Sequence, residues 1–306
     1  MMYYIIYGIL YLISLLPFFV LYGFSNFVAF VMFNLAGYRK KIVLHNLAIA
    51  FPEKTQTERD KIAKQFYKNF IDTFLESIKL LSMSDRQIRK RARMNMDAVN
   101  ELVNKGLNIQ LHSGHQMNWE YANYAVGMNL NIPMIGVYMK ISNPALNKIY
   151  HRLRSKKGTR LVSSHEFKFR KHEVFEGQYA LGLVADQNPG KSLKASWLYF
   201  FNQPAPFVNG PDVGARKNNT AVVFVKFVKK KRGYYEFIPN IITEEGGSLA
   251  PGELTLMYRD FLEQTIREQP DNYLWSHRRW KHRWRPEAGK LWIDKRVAPP
   301  FPQKEM

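Results

Sequence analysis

The hydrophobic pattern divides the chain before any motif is considered. Residues 1–38 contain no Asp, Glu, Lys or Arg. Within them, YYIIYGILYLISLLPFFVLYGF exceeds the roughly 20 apolar residues that a bilayer-crossing helix needs. It continues as SNFVAFVMFNLAGY and only then meets Arg39-Lys40-Lys41. That order predicts one membrane span followed by an interfacial segment around 24–37. The positive cluster should keep the downstream body on the cytoplasmic side. Pro17 and Gly23 interrupt the run, so an in-plane or re-entrant hairpin is the alternative, and a very hydrophobic pair of core helices is the plainer one. A cleaved signal normally opens with positive charge and closes with small residues, and neither pattern is present.

Beyond the anchor the apolar spacing turns helical. KKIVLHNLAIAF (40–51) reads as one helix. Thr57 opens a longer one in which Phe66, Phe70, Phe74, Ile78 and Leu81 share a face, the ordinary signature of core packing. From residue 107 short apolar runs take over: LNIQL, PMIGVY, YALGLVA, AVVFVKF and YYEFIPNII read as strands. NWEYANYAVGM, NPALNKIYHRLR, SHEFKFRKHEVFE and 252–268 read as the helices between and after them. Strands alternating with helices predict a layered α/β fold with a mostly parallel sheet flanked by helices. KFVKKKRGYY reads as a hairpin whose charges, Lys229–Arg232, sit in a solvated turn before Gly233. The expected organisation is an anchor (1–38), a helical segment (39–106), an α/β domain (107–290) and a Pro- and Lys-containing tail (291–306), loosely ordered from about 287. Residues 39–290 are expected to fold as one unit.

Composition narrows the chemistry. The net charge of +20, from 45 basic and 25 acidic residues, favours polyanionic partners such as anionic lipid, nucleic acid or an acidic protein. Without cysteine the chain has no disulfide, thiol nucleophile or thiolate metal ligand. Gly-x-Ser-x-Gly, Gly-x-x-x-x-Gly-Lys-Ser/Thr and Gly-x-Gly-x-x-Gly are all missing. Covalent serine hydrolysis and nucleotide binding therefore lose their usual support.

One junction stands out. LNIQL runs directly into HSGHQMNWE (112–120), where a strand ends and a helix begins. Ligands gather at such places in open α/β sheets, and a helix start offers free N–H groups to an anion or oxyanion. On a continuous helix His115 and Glu120 point about 140° apart. They meet only if the chain turns at 112–116, which Ser113-Gly114 permits. Glu120 would then orient the imidazole and His115 would act as general base. A lone His-x4-Glu is weak, and a pair of hydrogen-bonded turn histidines explains it equally well. A metal site from His112, His115 and Glu120 lacks the spacing of zinc proteases. Two further segments carry polar groups. VADQNPG (184–190) ends a strand with Asp186 and Gln187, which also suits a simple Asx turn. WSHRRWKHRWR (275–285) interleaves Trp with cations, which suits single-stranded nucleic acid, a membrane interface, phosphate recognition or a charged helix end.

Taken together and in order, these segments resemble the bacterial lipid A biosynthesis acyltransferase family, the late lauroyl/myristoyl transferases within the lysophospholipid acyltransferase group. The uncharged N-terminus is followed by YRKKIVLHNLAIAFPEKTQTER, similar to the family's basic, Asn- and Phe-Pro-containing opening. HQMNWE resembles its His-x4-Asp/Glu motif, ADQNPG its Asp-Gln turn, and YLWSHRRWKHR its C-terminal segment. The resemblance implies a domain on the cytoplasmic face of the bacterial inner membrane. It implies acyl transfer from acyl carrier protein, or acyl-CoA, to a hydroxyl of a lipid A precursor, without a cofactor, metal or covalent intermediate. His115 would be the base and Glu120 its partner. Asn118, Lys140, Asp186, Gln187, His277, Arg278, Arg279 and Lys281 would contact substrate. An acidic carrier and a phosphorylated lipid account for the positive charge without nucleic acid. One departure concerns Tyr-Arg-Pro after the family's second strand. Here the stretch is VYMKISN, with Met139 at the Arg position and Lys140 beside it as a point charge. That leaves room for another acceptor: an aminolipid, a glycolipid or a pigment precursor. The reading from a different class is a non-catalytic, membrane-tethered binder of anionic lipid or nucleic acid.

Overall fold

A computed structural model describes residues 2–169, 171–190, 195–285 and 291–300. The N-terminal apolar run is not one continuous helix. It forms two helices, α1 (Met2–Leu15) and α2 (Phe18–Phe30), and a π-helical turn, Val31–Leu35, continues α2 through the expected interfacial segment. The break falls at Pro17, which cannot donate to the preceding turn. Carbonyls left over there are taken up from below: Lys79 Nζ donates to the carbonyls of Ser14 (2.6 Å) and Leu16 (2.8 Å).

The pair of helices is docked on α4 (Gln56–Lys79) by polar contacts. Ser25 Oγ donates to Asp72 Oδ1 at 2.6 Å and Tyr22 Oη to Glu76 Oε1 at 2.9 Å. The opposite face is apolar and open, with Tyr4, Ile5, Leu12, Phe19, Phe27 and Leu35 all exposed. Among the described residues one helical stretch, 18–35, is long and apolar enough to cross a membrane.

Thr55 caps α4 in a capping box with Glu58, which sets its start at Gln56, one residue before the sequence suggested. Before it, α3 (Lys40–Ala50) is tied to the far end of the chain. Asn46 Nδ2 donates to the carbonyls of Trp275 and His277, both at 2.7 Å, and Arg39 to that of Ser276. Then come α5 (Asp85–Arg91), β1 (Ala92–Met94), α6 (Asp97–Asn104), β2 (Ile109–Ser113), α7 (Trp119–Asn129), β3 (Met134–Tyr138), α8 (Pro144–Ser155), β4 (Arg160–Ser163), α9 (Lys171–Val174), β5 (Ala180–Val184), β6 (Ser196–Phe200), β7 (Gln203–Phe207), α10 (Gly210–Asn218), β8 (Ala221–Lys231), β9 (Tyr234–Thr243) and α11 (Glu253–Glu268).

Seven strands form one sheet in the order β1-β9-β8-β2-β5-β3-β4. Every neighbour pair is parallel except the β8–β9 hairpin. The fold is therefore mixed α/β with a mostly parallel sheet flanked by helices. Core packs on both faces: Leu111, Tyr121, Val223 and Tyr235 belong to one cluster, and Met117, Phe224, Tyr258 and Trp275 to another.

Several local expectations are revised. The β8–β9 turn is solvated only in part: Lys230 and Lys231 are exposed, but Arg232 holds buried Asp72 through Nε (2.8 Å) and Nη2 (2.7 Å), and Lys229 Nζ donates to Asn69 Oδ1. Gly233, at φ +74, supplies the left-handed turn residue. The helix expected over 164–176 is reduced to a 3₁₀ turn, Glu166–Lys168, and the single turn of α9. The tail is anchored where it is described: Trp292 bridges to Trp197, and Asp294 accepts from Arg259 Nη1 at 3.0 Å. The boundary at 290 and residues 301–306 lie outside the described residues.

Candidate active site

Strand register brings the central pair together. Strands β2 and β5 run parallel with Ser113 opposite Val184. Two residues beyond each, past the C-terminal edge of the sheet, His115 and Asp186 fall level. His115 Nδ1 lies 2.6 Å from Asp186 Oδ1, and the His115 backbone N–H donates to Oδ2 at 3.1 Å. Tyr258 ties the two strand ends together, its hydroxyl donating to the Ser113 carbonyl (2.6 Å) and accepting from the Ala185 N–H (3.2 Å). The turn itself is tight: a Cβ on Gly114 would come within 2.7 Å of Leu262. On its far side the turn is held by residues 272–274. The Met117 N–H donates to the Asn272 carbonyl, and the Leu274 N–H to that of His115, each at 3.0 Å.

Asp186 is buried, at 1% exposure, while the His115 side chain keeps an open edge. Burial alone would raise the Asp186 carboxyl. The adjoining His115, by charge and by its two hydrogen bonds, and the Tyr273 hydroxyl outweigh burial and hold it at about 2. Asp186 is thus a carboxylate with one oxygen, Oδ1, directed at the imidazole and the other at the backbone of the same residue. With Nδ1–H donated to Asp186, the other ring nitrogen, Nε2, is left as the basic one.

Glu120 does not hold the imidazole. It is buried at the start of α7 and gripped by Arg154 of α8, whose Nε lies 3.0 Å from both carboxylate oxygens and whose Nη2 lies 2.5 Å from Oε1. The reason is helical geometry: α7 begins at Trp119, which turns Glu120 toward α8 and away from the strand ends. Trp119 stands between the two groups, its ring against His115 and its Nε1–H donating to Glu120 Oε1 at 3.2 Å. The sequence offered no mark on Arg154, one of several cations in NPALNKIYHRLR.

Asn118 is also revised, from substrate contact to helix cap. It is fully buried, and its Oδ1 accepts from the Glu120 and Tyr121 N–H groups at 3.0 and 3.2 Å. Lys140 lies in an exposed pair with Glu166 (2.8 Å), so the cation beside Glu120 is Arg154 and Met139 faces solvent. His112 is a core residue packed on Phe224 and Tyr258, and burial lowers its ring to about 3. Gln187 is half-buried next to Asp186.

The C-terminal segment is irregular and packs inward. Trp275 and Trp284 are buried, and Trp280 stacks on Phe200, so these rings build the core rather than a stacking platform. Arg278 and Lys281 are exposed. Arg279 is 1% exposed and lies over the rings of Phe207 and Phe200. Its Nη1 donates to Asn188 Oδ1 at 3.2 Å, while buried Nε and Nη2 have no hydrogen-bond partner among the described residues. These two donors form one edge of the guanidinium, the side-on fork that takes two oxygens of an anion. Burial, then Arg279, lowers the His277 ring to about 4, so it is neutral, with a buried and unpartnered Nδ1.

The bacterial lipid A biosynthesis acyltransferase family matches residues 1–282. The lipid A biosynthesis lauroyltransferase of Escherichia coli (strain K12) is 25% identical over 281 residues, covering 90% of each chain. The palmitoleoyltransferase of the same organism is 23% identical over 248 residues, covering 80% of this chain and 79% of its own. A lipid A biosynthesis acyltransferase of Shigella flexneri matches to the same extent.

Proposed function

The chain belongs to the bacterial lipid A biosynthesis acyltransferase family and is an acyltransferase; from that premise we propose that it moves a fatty acyl chain from the thioester of acyl carrier protein, or of acyl-CoA, to a hydroxyl of a lipid A precursor. The observation that carries the proposal is the His115–Asp186 pair on adjacent strand ends. Asp186 fixes the tautomer that leaves Nε2 basic. The acceptor hydroxyl gives its proton to Nε2 as its oxygen bonds to the thioester carbon. Asp186, already ionised, stabilises the imidazolium formed. The tetrahedral oxyanion then collapses, the C–S bond breaks, and the leaving thiolate takes the proton back from His115. No acyl-enzyme is formed. The Glu120–Arg154 pair and Trp119 build the wall beside the imidazole.

The Arg279 fork takes two oxygens of a substrate phosphate, with neutral His277 beside it. Exposed Arg278 and Lys281 meet the acidic carrier or the charged lipid headgroup. The open apolar face of α1 and α2 enters the inner membrane, and Arg39-Lys40-Lys41 keeps the sheet on the cytoplasmic side.

The test is mass spectrometry of lipids from cells lacking this protein, complemented with wild type or with His115→Ala. Wild type is expected to restore one acyl chain on lipid A that His115→Ala does not, and the mass difference names the chain. Restoration in another lipid class keeps the chemistry and replaces the acceptor. Full restoration by His115→Ala removes the catalytic reading.

A further inference from the structure

Glu76 lies in α4, 1% exposed, and takes no part in the chemistry above. Three donors from three elements converge on it. Tyr22 of α2 donates to Oε1 at 2.9 Å; Asn118 Nδ2 (2.8 Å) and the Tyr235 hydroxyl of β9 (2.9 Å) donate to Oε2. A buried carboxyl group with its oxygens so engaged holds its donors in fixed places, because each lost bond leaves a buried polar group unsatisfied. Asn118 is the donor with a second task. Its Oδ1 caps the Glu120 and Tyr121 amides, and the cap works only in the rotamer that points Nδ2 at Glu76. Tyr22 is the donor from the other direction, since it sits on the N-terminal hairpin, whose open apolar face is described above.

We infer that Glu76 is a positioning residue linking the docked hairpin to the active site: Tyr22 holds one carboxylate oxygen, the other holds Asn118, and Asn118 fixes the first turn of α7 that carries Trp119 and Glu120. Docking of α2 thereby tightens the wall beside His115, and undocking loosens it. The inference rests on the active-site assignment proposed above.

The test uses the full chain in lipid vesicles, comparing Tyr22→Phe, Glu76→Gln and the double variant with wild type. The readouts are amide exchange of residues 118–122 and steady-state acyl transfer. Both single variants are expected to speed exchange of the Glu120 and Tyr121 amides roughly five- to tenfold, the size of a lost cap. The kcat falls by a similar factor with KM unchanged, and the double variant is no worse than Glu76→Gln alone. Faster exchange spread through α4 and β9 with normal kcat, or additive losses in the double variant, overturns the inference. If Glu76→Gln does not fold, unchanged exchange and kcat in Tyr22→Phe overturn it alone. Failure of the active-site assignment shows separately, as transfer retained by His115→Ala.

Discussion

Asp186 receives two hydrogen bonds from a single residue, His115, one from its ring at 2.6 Å and one from its backbone at 3.1 Å. The carboxylate thus fixes both the imidazole and the turn that bears it. Asp186→Asn keeps the shape, removes the charge and favours the wrong ring tautomer. We expect kcat to fall roughly a hundred- to ten-thousandfold with KM little changed. Normal turnover by this variant in a purified assay would contradict the assigned role.

The Glu120–Arg154 pair makes a stability prediction. Glu120 is 3% exposed, so Arg154→Met leaves a buried carboxylate without its counter-charge, held among the described residues only by the Trp119 Nε1–H. The expected loss is about 3–5 kcal/mol in denaturant unfolding. Glu120→Gln in the same chain should return much of that stability without returning activity.

Arg279→Lys keeps a positive charge and deletes the fork. The expected outcome is a KM for the phosphorylated substrate raised about tenfold, with kcat less affected. An equal loss with a dephosphorylated acceptor would assign the phosphate to the donor side instead.

Two buried acids act in opposite pH windows. Burial, then Asp72, raises Glu76 from 4.5 to about 7. The folded state therefore holds its proton more tightly than the unfolded chain. The stability so gained is full below the ordinary carboxylate value and is lost as pH rises through about 7. Tyr22, Asp72, Tyr121, Lys229 and Tyr235 face this carboxyl and share in the value. Asp186, depressed to about 2, adds stability above its ordinary 3.8 that is lost as pH falls toward 2. Glu76→Gln should flatten the decline of unfolding free energy between pH 4.5 and 7, by up to about 3 kcal/mol. An unchanged slope in titrated denaturation would refute the assignment.

The hairpin face is testable by flotation. Phe19 and Phe27 are 76% and 64% exposed, so Phe19→Asp and Phe27→Asp should leave the melting temperature unchanged. Each should weaken vesicle binding about tenfold or more.

Much of this was legible in the chain. LNIQL, PMIGVY, YALGLVA and the two strands after 220 were readable because short β-branched and aromatic runs ended at turn residues. The hairpin β6–β7 was not, since Pro204 and Pro206 argue against a strand and the turn needs Phe201 and Asn202 at positive φ. The candidate base was readable from its junction, whereas its partner was not. Glu120 is near His115 in sequence, but Asp186 is near it only through the β2–β5 register, which no local pattern encodes. The same holds for Arg154, an ordinary helix cation until α8 packs beside α7.

The sheet order carries a consequence for biosynthesis. Strand β5 lies between β2 and β3, although both are made before it. A nascent chain must keep that slot open, and His115 stays without its carboxylate until a partner 71 residues away has emerged. The apolar hairpin is made before the sheet, and the His115–Asp186 pair is completed late. If the hairpin enters the membrane as proposed, a half-made chain reaches the bilayer before its proposed base has a partner.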